Sequence, residues 1–83
     1  MFGAANPEQA IAQLEAYYRE GRGERAEVMA SALVDQLMAQ KDRDDYTQGI
    51  LVKGLRILAG VLNSRQKYKR ARITVGLLHK HRN

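Results

Sequence analysis

The stretch from Asp44 to Ser64 constrains the fold more than any other. Its apolar residues Tyr46, Ile50, Leu51, Leu55, Leu58, Val61 and Leu62 recur at the i, i+3, i+4, i+7 spacing of one helix face. Val52, Ile57 and Ala59 lie off that stripe, and only Lys53 and Arg56 interrupt the apolar arc with charge. An arc that wide needs neighbours on two sides. The spacing therefore predicts a central helix with other helices packed around it, and an all-α fold.

The flanking segments supply three such partners. After an apolar pentapeptide (1–5) expected to be flexible, Asn6, Pro7 and Gln9 make a helix start. Asn6 can accept from the free N–H groups of the first turn, Pro7 has no N–H to lose, and Gln9 stands at the capping-box position. Ala10, Ile11, Leu14, Tyr17 and Tyr18 form the stripe, and Gly21-Arg22-Gly23 ends it. A second helix is predicted from about Glu24 to Gln40, with Ala26, Met29, Ala30, Leu33 and Leu37 inward and Val34 and Met38 widening the face. The aspartates of the polar run 41–45 are placed to cap the central helix. Asn63 to Gln66 breaks the apolar pattern, and a last helix is predicted from about Lys67. Its core stripe reads Tyr68, Ala71, Val75 and Leu78, its second apolar edge Ile73 and Leu77, and its solvent side Arg65, Lys69, Arg72 and Lys80. Short turns predict two antiparallel αα-hairpins, 6–40 and 44–80, in one 83-residue domain.

A single small core is stable only if its helices pack well or a second subunit completes the burial, so oligomerisation or a partner is expected. The chain has no cysteine, which excludes disulfides and thiolate metal sites and leaves the cytoplasm as the default compartment. No stretch has the ~18 apolar residues that a membrane span requires. Charge is sharply divided. Residues 1–45 carry nine acids against five bases, net −4, whereas residues 46–83 carry nine bases and no acid, net +9. Such a split implies either that the halves attract one another or that the basic half meets an anionic partner.

Catalytic patterns are lacking. His79 and His81 are two apart, which puts them on different sides of a helix, and no acid follows Asp45 to complete a site. Ser31 and Ser64 lack a nucleophile-elbow context, and the acidic run 41–45 lacks the glycine and distal glutamate of a calcium loop. A non-enzymatic protein with no cofactor and no metal is the expectation. Gly49, Gly54 and Gly60 inside the central helix each cost about 0.5–1 kcal/mol relative to alanine, which close approach of a neighbour or a kink would explain.

A shift of 45 residues lays Leu14, Tyr17, Gly21 and Ala26 over Ala59, Leu62, Gln66 and Ala71. In the second copy Leu58, Ala59, Leu62, Tyr68 and Ala71 take the large-small-large, tyrosine and alanine positions of a helix-turn-helix repeat. In the first, Tyr17, Gly21 and Ala26 fit, while Gln13 and Leu14 depart from the large-small pair and Gly23 stands in place of the tyrosine. The pattern resembles the tetratricopeptide repeat, although that family's period is roughly 34 residues and its tryptophan and closing proline are missing here. The resemblance implies a concave groove, lined by the first helix of each pair, that takes an extended peptide or a partner helix. Its surface would present Ile11, Glu15, Tyr18 and Arg19 together with Lys53, Arg56, Gly60 and Asn63.

Two surfaces thus emerge as candidates. One is a partner-binding face of Tyr18, Arg19, Lys53, Arg56 and Asn63, where Lys53 and Arg56 share a helix side and could grip an acidic segment or a second copy of the chain. The other is the basic run of Arg65, Lys67, Lys69, Arg70 and Arg72, which could meet nucleic acid. Tyr68 is expected in the core there rather than as a stacking platform.

Overall fold

The structure is a computed structural model that describes residues 6–82; the flexible segment expected over 1–5 lies outside them. Four helices, α1 (Pro7–Arg19), α2 (Gly23–Met38), α3 (Asp45–Ser64) and α4 (Tyr68–His81), make an all-α fold with no strand among the described residues. None of them is long and apolar enough to cross a membrane. Two starts follow the capping chemistry of the sequence. The Asn6 side chain accepts from the Glu8 N–H at 2.8 Å, and that of Asp44 from the Thr47 N–H at 2.8 Å. The Thr47 side chain first, and then this backbone bond, hold the Asp44 carboxyl below its usual pKa.

Helix α3 packs against all three others, whereas α1 and α4 barely touch. Leu51, Leu55, Val61 and Leu62 are fully buried on it, and Ile50 and Leu58 nearly so. All of these but Val61 meet Ala10, Ile11 and Leu14 of α1, Ala30, Leu33, Val34 and Leu37 of α2, and Ala71 of α4 in one cluster. Two of the three α3 glycines mark close approaches. A Cβ on Gly54 would sit 3.4 Å from Val34 Cγ2, and one on Gly60 3.2 Å from the Tyr18 hydroxyl, while Gly49 faces open space. The expected apolar faces fail at several places, among them Tyr18 of α1, Met38 of α2 and Ile73 of α4, 43%, 37% and 62% exposed. Tyr46, at the first turn of α3, is 52% exposed, and Tyr68 and Val75 of α4 are 58% and 38% exposed. Of the expected α4 stripe Ala71 is buried and Leu77 and Leu78 pack against the core, and Thr74 joins them inward, its hydroxyl satisfied locally by donating to the Arg70 carbonyl at 2.8 Å.

The 45-residue shift reappears in backbone geometry. At the end of α1 the Arg22 N–H donates to the Tyr17 carbonyl at 2.9 Å and the Gly21 N–H to that of Tyr18 at 3.3 Å. At the end of α3 the Lys67 N–H donates to the Leu62 carbonyl at 2.8 Å and the Gln66 N–H to that of Asn63 at 3.0 Å. Both are Schellman turns, with Gly21 at φ 76° and Gln66 at φ 64°. Left-handed backbone suits glycine and strains glutamine, so the two copies differ in cost rather than in shape. Gly21→Ala should lower stability and Gln66→Gly raise it, each by about 1 kcal/mol, read from paired denaturant unfolding curves.

Polar ties fix the two ends of this packing. Arg43 donates to the Leu37 and Gln40 carbonyls at 3.0 and 2.7 Å, closing the C-terminal end of α2, and to Gln48 Oε1 at 2.7 Å. Gln48 Nε2 then donates to the His81 carbonyl at 2.7 Å. The ends of α2 and α4 are thereby held to the start of α3, and His81 is half-buried. At the opposite end Glu27 joins the start of α2 to the turn between α3 and α4 and to the first turn of α4.

Candidate functional site

Beside α3, helix α1 runs in the same sense, with Glu8, Ile11 and Glu15 lying along Ile50 and Lys53, and Tyr18 over Gly60. Between them is a shallow groove. A cavity of about 210 Å³ within it is lined by Glu8, Ile11, Ala12, Glu15, Ile50 and Lys53. Of the residues expected at a partner-binding face, Arg19, Lys53, Arg56 and Asn63 are exposed, and Tyr18 is 43% exposed with its hydroxyl end against α3. Ile11 is buried and forms the floor, so it is not part of the open surface. Residues 46–83 themselves carry no acid, but the packing brings acids of the other half of the chain to Lys53. Glu8 and Glu15, remote in sequence, share its groove, although no ion pair to Lys53 forms among the described residues. Glu8 also approaches Tyr46, whose phenol is shifted above its usual pKa by desolvation and then by the Glu8 charge.

The basic run divides in two. Arg65, Lys67 and Arg70 converge on Glu27, a carboxylate whose side chain is only 11% exposed. Lys67 Nζ and Arg70 Nη1 both donate to Glu27 Oε2, at 2.9 and 2.8 Å. Arg65 Nε lies 3.0 Å from Oε1, but the two atoms are not aligned for a hydrogen bond and interact through charge alone. The aliphatic stem of Arg65 passes over Gly23, within 3.5 Å of where a Cβ would stand, so Arg65 is half-buried in the turn and not on a solvent face of α4. The hydrogen bond from Lys67 is the largest of the influences that hold the Glu27 carboxyl below its usual pKa. Burial opposes it, and the charges of Lys67 and Arg65 and the bond from Arg70 reinforce it. These three cations are therefore fastening groups first.

Lys69 and Arg72 remain outside this knot, exposed, and without an ion pair among the described residues. Tyr68, expected in the core, stands exposed at the same end of α4. The reason is rotation. Once Lys67 and Arg70 are turned toward α2 and Ala71 and Thr74 toward α3, the remaining sector, including Tyr68 and Arg72, must face solvent.

Sequence reasoning missed Glu27, Arg43 and Gln48. Glu27 had one signal: it lies in register with Ala30, Val34 and Leu37 at i, i+3, i+7, i+10, the inward face of α2. A carboxylate in that register must be paired. Arg43 and Gln48 carried no comparable sign, because their partners are backbone carbonyls and each other. Comparison with protein-family models, with curated proteins and with solved structures returns no match for the chain.

Proposed function

We propose that the chain is a non-enzymatic, cytoplasmic protein-binding module, an adaptor, co-chaperone or inhibitor, whose α1–α3 groove receives a segment of a partner protein or of a second copy. The observation that carries this reading is the groove itself. It lies between α1 and the Ile50–Lys53 stretch of α3, floored by Ile11 and Ile50 and rimmed by charges of both signs from Glu8, Glu15 and Lys53, with Arg56 exposed one turn further along α3. A recess gives a partner segment a place to seat, and charges of both signs at its rim set register and partner choice. The twin Schellman turns, and the sparse contact between α1 and α4, support a reading of the chain as two stacked tetratricopeptide-like hairpins with this groove on their first-helix side. Two hairpins are fewer than the ~3 repeats such stacks ordinarily need, which favours association with a partner or a second copy.

Lys53→Glu combined with Arg56→Glu tests the reading. Both positions are exposed and glutamate is as good a helix former as lysine or arginine, so helix content should be unchanged. At Lys53 the reversal adds a carboxylate beside Glu8 and Glu15, at Arg56 it removes the next cation of α3, and together they should weaken association at least tenfold, about 1.4 kcal/mol or more. Sedimentation velocity at micromolar concentration reads self-association. Parallel capture from host extract, with each protein identified by mass spectrometry, reads foreign partners. A variant with the same sedimentation and the same captured proteins as the native chain would remove the groove from consideration.

A further inference from the structure

Along the outer side of α4, Lys69, Arg72, Gly76 and Lys80 succeed one another at i, i+3, i+7 and i+11, and all four are exposed. At 1.5 Å per residue that line is about 16 Å long. None of its three cations pairs with an acid among the described residues, in contrast to Arg65, Lys67 and Arg70. Every acid of the chain lies before Tyr46, so neither α3 beyond its first residue nor α4 supplies a competing carboxylate. Gly76 has nothing within 4 Å of where its Cβ would stand, which leaves the middle of the line flat and open. Tyr68, 58% exposed, flanks it at the N-terminal end.

We propose that this face of α4 binds single-stranded nucleic acid, with Lys69, Arg72 and Lys80 tracking successive phosphates and the Tyr68 ring stacking on an unpaired base. A regularly charged strand fits a straight row of unpaired cations, and stacking on an exposed ring requires bases free of a duplex. Two other anionic partners fit less well. A membrane surface needs one continuous apolar face beside the cations, but the exposed Ile73 and Val75 are two positions apart and point about 200° from one another around the helix. An acidic protein segment needs an apolar anchor pocket at the centre of its contact, and the centre of this line is Gly76. The surface is separate from the α1–α3 groove, so the two readings stand or fall independently.

The test is fluorescence anisotropy of a labelled oligothymidylate of about 20 nucleotides, titrated with the full chain over a range of salt concentrations. Three phosphate contacts predict a slope of log K against log salt of about −2, and Lys69→Ala or Arg72→Ala should each reduce its magnitude by roughly 0.7. Tyr68→Ala should weaken binding about tenfold or more, and Tyr68→Phe should restore it, because the ring rather than the hydroxyl stacks. All four substitutions are at exposed positions, and unchanged circular dichroism keeps a folding defect from imitating the result. No binding at low salt would overturn the proposal. So would equal affinity for polyglutamate, preference for anionic phospholipid vesicles, or a Tyr68→Ala variant that binds like the native chain.

Discussion

Glu27→Gln should lower the stability of the fold by about 2–3 kcal/mol at neutral pH, among the largest losses any single polar substitution here can produce. Removing one member of a buried ion pair typically costs about 3–5 kcal/mol. Here the carboxylate is nearly enclosed while Arg65, Lys67 and Arg70 keep a third to a half of their side-chain surface in water, so they regain solvation and the loss falls below that range. The same group sets a pH dependence. Its carboxyl is lowered from an ordinary value of 4.5, so the folded chain binds fewer protons than the unfolded chain as pH falls through that value. The Glu27 contribution is therefore complete above about 4.5. It declines as pH falls from there through the lower folded value. Asp44 is shifted in the same direction and gives both proteins a common acid dependence. The measurable quantity is the gap between native and Glu27→Gln unfolding curves, which should be wide at pH 7 and shrink toward pH 3. A gap that stays constant across that range would mean the knot contributes no charge-dependent stability.

This knot also shows where reading a sequence by hydrophobic period succeeds and where it fails. Ile50, Leu51, Leu55, Leu58, Val61 and Leu62 were legible because a helix that meets neighbours on two sides needs apolar side chains at each turn, and they occupy the buried positions as expected. The alignment of Gly21 with Gln66 was legible too, since a turn repeats when the same backbone bonds must be satisfied at both helix ends. What apolar counting cannot register is a polar residue whose burial is compensated. Thr74 enters the core by bonding its own helix, and Glu27 by drawing three cations from a segment some forty residues away. Each displaces the inferred stripe. With Thr74 inward and Lys67 and Arg70 turned to α2, Tyr68 and Val75 are rotated outward although their spacing matched a core face. The candidate surfaces were legible to a lesser degree for the same reason. Lys53 and Arg56 are exposed on α3 as their position among apolar residues suggested, but the acids that share the groove with Lys53 come from α1, and sequence distance gives no sign of them. The basic run read as one patch because five cations fall within eight residues, yet only the knot decides which of them face outward.

Leu58→Ala should be as damaging as the loss of the ionic knot, or more so, while Arg72→Ala should leave the fold intact. Leu58 lies in the core cluster that joins α3 to its neighbours and keeps only 5% of its surface in water. Truncating a buried leucine removes its transfer energy and leaves a cavity, about 2–5 kcal/mol in all. A chain of this size holds only about 4–12 kcal/mol of stability, so that loss is a large share of the whole. The melting temperature should fall by at least about 8 °C. Arg72 faces solvent, has no ion-pair partner among the described residues, and sits in a helix where alanine is the better helix former, so its replacement should change stability by no more than about 0.5 kcal/mol. The contrast separates folding from binding, since Arg72→Ala is also expected to weaken capture of a single strand. Thermal unfolding of the two variants beside the native chain settles it. Equal losses would mean that α3 turns a different face to the core, and with it that the outward direction of Lys53, Arg56 and the α4 cations has been misjudged.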